Sequence, residues 1–188
     1  MTTHIIVLST DLEIVSAPMI EVAKISIKKI WIFTSILLLV LVDQGTKEIA
    51  RSALKNLRTY RFFDNVFTIQ LAENPGAFLS LGATFSETTR FWIFVLAVGA
   101  FLSITLYFLF RKNNMDLTTT AALTLLTGGG IGNLIDRIVR GRVTDFLHLG
   151  YHELQTGVFN IADMAIVAGV GIFLVTSLIP QHHQQVSK

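Results

Sequence analysis

The chain has 188 residues, of which 52% are hydrophobic and 15% charged, with a formal net charge of +2. Its mean hydropathy is +0.60. That balance excludes an ordinary soluble domain and points to a membrane protein. The basic residues are dispersed, so no nucleic-acid partner is expected, and the absence of cysteine removes disulfides, thiolate nucleophiles and cysteine metal sites.

Residues 1–26 lack a basic start, an apolar run and a small-residue cleavage site, so they do not read as a secretory signal. They are expected to be an N-terminal cytoplasmic extension, with Met19 an alternative start. A span of about 20 helical residues crosses a hydrocarbon core of about 30 Å. Four segments reach that length, at residues 30–49, 91–110, 117–138 and 159–179, with Pro180 closing the last. The third is rich in Thr and Gly. In it Thr124, Gly128, Gly132 and Asp136 recur every four residues and share one helix face. Gly128 and Gly132 form a GxxxG step suited to close helix approach, and Ala165 and Gly169 form a related stripe in the fourth.

Lys24, Lys28 and Lys29 precede the first span and favour a cytoplasmic N-terminus. Four spans return the C-terminus, with a tail at 181–188, to the same side, and Arg111 and Lys112 agree. The raw count opposes this, with nine Lys plus Arg on the expected outside and six inside. The first helix usually dominates orientation and is given precedence.

Between the first two spans, Phe67, Ile69 and Leu71 alternate with Thr68 and Gln70, a strand pattern. Asn74, Pro75 and Gly76 then supply turn chemistry. A small sheet outside the membrane is expected over about 60–85. The basic stretch 47–61 reads as a segment lying along the headgroups.

Four aspartates fall at or near the outer ends of spans: Asp43, Asp136, Asp145 and Asp163. Ionisable residues at membrane depth are costly and by default suggest function. Asp43 has Lys47 one turn on, and an ion pair accounts for it. Asp136, beside Arg137 and three residues after Asn133, reads as a polar knot. Asp145 and Asp163 have apolar neighbours. Asp163 stands about one turn into its helix, where the macrodipole suits an anion, and Asn160 shares its face. If residues 138–158 fold back as a hairpin, Asp145 reaches the depth of Asp163. Two adjacent carboxylates do not both ionise easily, so one serves as general base and the other as proton donor. That is aspartyl peptide hydrolysis, and it needs no metal or cofactor. Transport or structural use of the same acids competes with it. His148, His152 and Glu153 do not make HExxH and read as interfacial polar residues; His182 and His183 read as solvated. Lys47 and Ser52 leave a serine–lysine pair open.

The strings VDQGTK (42–47), ENPGAF (73–78), GGGIGNLIDR (128–137), VTDF (143–146) and FNIAD (159–163) together resemble lipoprotein signal peptidase, or signal peptidase II. The resemblance covers about 27–180. It implies an α-helical membrane protein of the bacterial inner membrane, with four transmembrane helices and a small extracytoplasmic β-cradle in one peptidase domain. It implies an aspartic endopeptidase that cuts prolipoproteins just before a diacylglyceryl-modified cysteine. The enzyme would act as a monomer among membrane lipids, with both termini cytoplasmic and its site at the outer leaflet. Carried over by motif, the catalytic pair is Asp145 and Asp163. Asp43, Lys47, Asn74, Gly76, Gly128, Asn133, Asp136, Arg137, Asn160 and Ala162 support the site or bind substrate. Phe78 follows Ala77 directly, where the family often inserts another small residue. A proton-coupled small transporter or channel subunit, relaying protons through the same acids, is the alternative.

Overall fold

The computed structural model describes residues 10–55, 58–76 and 84–178. Residues 1–9, Ala77, Phe78, Pro180, His182, His183 and the rest of the tail at 181–188 lie outside that set. Helix α1 covers Thr10–Ala53. Helix α2 (Glu87–Phe91) continues through a π-helical stretch, Trp92–Ala97, into α3 (Val98–Arg111). Helix α4 covers Leu117–Arg140 and α5 covers Ile161–Leu178. Strands β1 (Thr59–Phe62), β2 (Phe67–Asn74), β3 (Val143–Tyr151) and β4 (Leu154–Gln155) form one antiparallel sheet in the order β1-β2-β3-β4.

Among the described residues, two helical segments are long and apolar enough to cross a membrane, Glu87–Arg111 and Ile161–Leu178. Helix α1 also exposes large apolar side chains, among them Trp31, Phe33, Leu38 and Leu41. Helix α4 is the centre of the bundle. No residue from Thr119 to Arg137 is exposed, which explains how a Thr- and Gly-rich helix is stable there. Its glycines face different neighbours. A Cβ on Gly128 would stand 2.7 Å from Leu39 of α1, one on Gly129 2.5 Å from the Ala162 carbonyl oxygen of α5, and one on Gly130 2.6 Å from Leu102 of α3. The GxxxG face thus serves α1, while the adjacent Gly129 and Gly130, which the spacing rule passes over, admit the other two helices.

Helix α4 stops at Gly141, whose φ of 72° is the left-handed cap glycine takes without a Cβ penalty. The chain then folds back as the expected hairpin. The sheet is less local than the 60–85 expectation. Strands β1 and β2 come from that stretch, but β3 and β4 come from the link between α4 and α5. The 47–61 stretch is corrected. It does not lie along a surface up to residue 53, because α1 continues through it and Lys47 is wholly buried. At the other end of the bundle, Lys28 Nζ donates to the Met115 carbonyl at 2.7 Å, tying the early part of α1 to the α3–α4 turn.

Candidate active site

Helix α5 begins on Asn160. Its side-chain oxygen accepts from the Asp163 N–H at 2.9 Å, and an Asp163 carboxylate oxygen accepts from the Asn160 N–H at 3.2 Å. This reciprocal capping box satisfies two donors that a helix start leaves orphaned. A third, the Ala162 N–H, is taken by Asp43 at 3.0 Å. Asp163 is therefore fixed at the helix start by ordinary capping physics. Its other oxygen accepts from Asn133 Nδ2 at 2.7 Å.

Asp145 arrives on β3, paired with Ala72 of β2, beside a bulge between Ile69 and Ala72. A bulge adds a residue to one strand and re-aims the side chains around it. Asp145 is 2% exposed. It accepts from Asn160 Nδ2 at 2.7 Å and from Asn74 Nδ2 at 3.2 Å. One asparagine thus touches both acids. Burial, and next the charge of Asp163, push the Asp145 carboxyl up to about 6 from its ordinary 3.8, against the opposing pull of Asn160, Asn74 and Lys47.

Behind the two acids lies a buried ionic layer. Lys47 Nζ stands 2.8 Å from Asp43 and 3.3 Å from Asp136, and donates to Asn133 Oδ1 at 3.0 Å. The expected Asp43–Lys47 pair is present and has a third member. The polar knot expected at Asp136 forms through Lys47, which also holds Asn133, rather than through Arg137. Asp136 accepts from the Thr144 N–H at 3.0 Å and lies 3.7 Å from Arg51. Arg137 turns to the Gly76 carbonyl at 2.8 Å and stacks over the Phe94 ring at 5.3 Å. Gly76 itself donates to Asn74 Oδ1 at 3.0 Å, the turn expected there.

Eleven of the twelve expected residues thus join one cluster of contacts. Gly128 stands apart, against Leu39. Arg51 and Thr144 were missed. Arg51 donates to Thr144 Oγ1 at 2.8 Å, locking the residue before Asp145. The spacing of Asp43, Lys47 and Arg51, four apart each, was the available signal. Ser52 donates to the Ile49 carbonyl, and Lys47 is fully engaged elsewhere, so no serine–lysine pair forms. His148 contacts Gln155 at 2.8 Å, within the hairpin.

Two apolar grooves adjoin Asp163. One, of about 590 Å³, is lined by Phe94, Phe101, Ile166 and Val170; the other, of about 550 Å³, by Val143, Phe159, Met164 and Val167. The π-helical stretch lines the first, through Ile93, Phe94 and Ala97.

The family model described as Signal peptidase (SPase) II matches residues 35–179. The chain belongs to the signal peptidase II family. Among its relatives, a lipoprotein signal peptidase of Geobacter sulfurreducens is 36% identical, over 77% of this chain and 89% of the relative. One of Chlorobium phaeobacteroides is 32% identical, over 77% of this chain and 88% of the relative. A solved bacterial membrane enzyme superposes with a TM-score of 0.71 at 25% identity, covering 84% of this chain and 93% of that one. As a signal peptidase II family member with apolar helices, the chain is a membrane protein.

Proposed function

We propose that this chain is an aspartic endopeptidase that removes signal peptides from diacylglyceryl-modified prolipoproteins, cutting just before the lipidated cysteine, with Asp145 and Asp163 as its catalytic pair. The observation that carries the pair is Asn160, whose side-chain amide donates to the Asp145 carboxyl and whose backbone N–H donates to the Asp163 carboxyl. In this scheme Asp145, the more completely buried carboxyl on β3, is the proton donor. Ionised Asp163 takes a proton from water as the water oxygen attacks the scissile carbonyl carbon. Asp145 donates to the carbonyl oxygen; the tetrahedral intermediate then collapses as the C–N bond breaks, Asp163 passing its newly gained proton to the cysteine nitrogen and Asp145 taking back the hydroxyl proton. The amides of Asn74, Asn133 and Asn160 hold the acids in place without neutralising them as a directly paired cation would.

The membrane arrangement that fits this chemistry has four spans, in α1, Glu87–Arg111, α4 and α5, with both termini cytoplasmic. The Lys28–Met115 contact supports it by bringing two basic segments, around Lys28 and around Lys112, to one end of the bundle. The sheet and the acids then stand at the outer leaflet of the inner membrane. The apolar grooves on either side of Asp163 suit a lipid-anchored substrate entering from the bilayer as a monomeric enzyme would receive it. The test is cleavage of a diacylglyceryl prolipoprotein by purified protein in lipid, followed by gel shift. Activity that is insensitive to chelator and lost in both Asp145→Asn and Asp163→Asn is expected. Full cleavage by either variant would remove that residue from the pair.

A further inference from the structure

Three cavities share Arg137 as a wall. Two are the apolar grooves that touch Asp163. The third, of about 600 Å³, is of different character: its lining includes Arg90, Arg140, Arg142, Glu87 and Thr88. It lies between the last turn of α4 with Gly141 and Arg142 beyond it, Pro75 just after β2, and the helix that starts at Glu87.

A prolipoprotein has three limbs at its lipidated cysteine. They are the apolar signal helix, the diacylglyceryl chains and the hydrophilic mature chain. The first two need apolar surroundings, and the two apolar grooves supply them. The third must leave toward water, and the arginine-lined cleft is the polar route on the far side of Arg137. We infer, resting on the function proposed above, that this cleft receives the mature-side segment just after the cysteine and favours acidic residues there.

The charge balance of the lining supports the preference, with four arginines against Glu87. Arg142 is held by Glu73 at 2.7 Å and Arg140 by Glu48 at 3.6 Å, and all four of these side chains are substantially exposed. Exposed ion pairs contribute little, so an incoming carboxylate exchanges for Glu73 or Glu48 at small cost. Arg137, half-buried and held by Gly76, Asn133 and Phe94, stays as the fixed wall.

The test uses three synthetic lipopeptides with one signal sequence and one diacylglyceryl cysteine, followed by two Asp, two Ser or two Lys. The full chain is assayed in phosphatidylcholine nanodiscs at low salt. The wild type is expected to prefer Asp over Lys by about tenfold in kcat/KM, from two screened pairs that attract one and repel the other. In Arg140→Gln/Arg142→Gln the ratio falls to about twofold, and in Arg140→Lys/Arg142→Lys it is retained. High salt compresses the wild-type ratio. A ratio that is the same in wild type and the Gln variant overturns the inference. So does a uniform acceleration of all three peptides by phosphatidylglycerol with no charge preference, which would make the cleft a headgroup site. Cleavage of the Ser peptide with a ratio near one sinks this inference alone; no cleavage of the Ser peptide sinks the proposed function with it.

Discussion

Asp145→Asn should yield an inactive protein that is more stable than the wild type above pH 6. The Asp145 carboxyl is 2% exposed and is pushed from 3.8 to about 6 in the folded protein. A displacement of about two pH units, at about 1.4 kcal/mol per unit, makes ionisation in the fold cost about 3 kcal/mol. The folded value lies above the ordinary one, so the folded protein binds the proton more tightly than the unfolded chain. The cost is absent below about pH 3.8, grows between 3.8 and about 6, and is constant above. The amide removes it. The substitution keeps the bond from Asn160 but turns an NH₂ toward Asn74, whose own oxygen is held by Gly76. That lost hydrogen bond subtracts about 1 kcal/mol and leaves a net gain of about 2. Thermal unfolding in detergent at pH 8 should place the variant about 5 °C above the wild type. At pH 4 the advantage should vanish or reverse. A variant no more stable at pH 8, or a difference that does not change with pH, would refute the assignment of a buried, costly charge to Asp145.

The same carboxyl sets a pH–rate expectation. Cleavage should decline as pH rises through about 6, where Asp145 loses its proton, and Asn74→Ala should move that limb upward because Asn74 favours the ionised form. An unmoved limb in the variant would detach it from Asp145. Lys47→Met should destabilise the protein by about 3–5 kcal/mol, since it strands Asp43 as a buried acid without a cation and leaves Asp136 only the more distant Arg51; chemical denaturation measures this. Gly129→Ala should be far more damaging than Gly45→Ala. Its Cβ would meet the Ala162 backbone oxygen at 2.5 Å and push away the start of α5, whereas Gly45 has open space. Comparable melting temperatures for the two variants would contradict the close α4–α5 contact.

The sequence by itself determined the apolar helices and the strand from Phe67, because each follows from local periodicity; a fold-back of 138–158 was open to it, but the strands there, β3 and β4, were not. It also singled out Asp145 and Asp163 as a candidate pair, through motifs that resemble the family's, and placed Asn160 on the face of Asp163; the three-residue spacing proves to be that of a capping box. Asp43 and Lys47 were readable as a pair, being one turn apart. What joins them to distant residues was not readable. Asp136 has Arg137 beside it in sequence but bonds Thr144 and Lys47, because adjacent residues on a helix point about 100° apart. Arg137 instead crosses to Gly76, a partner that only the docking of the sheet onto the bundle brings near. Gly129 and Gly130 mark contacts with α5 and α3, yet a face-by-face reading found only the Gly128 stripe. Which helix each glycine admits depends on how α4 is surrounded. The meeting of Asp145 and Asp163 is likewise a tertiary matter. A helix start at Asp163 and a fold-back reaching Asp145 were open to the sequence, but only the fold pairs β3 with β2 and gives the two acids one asparagine in common.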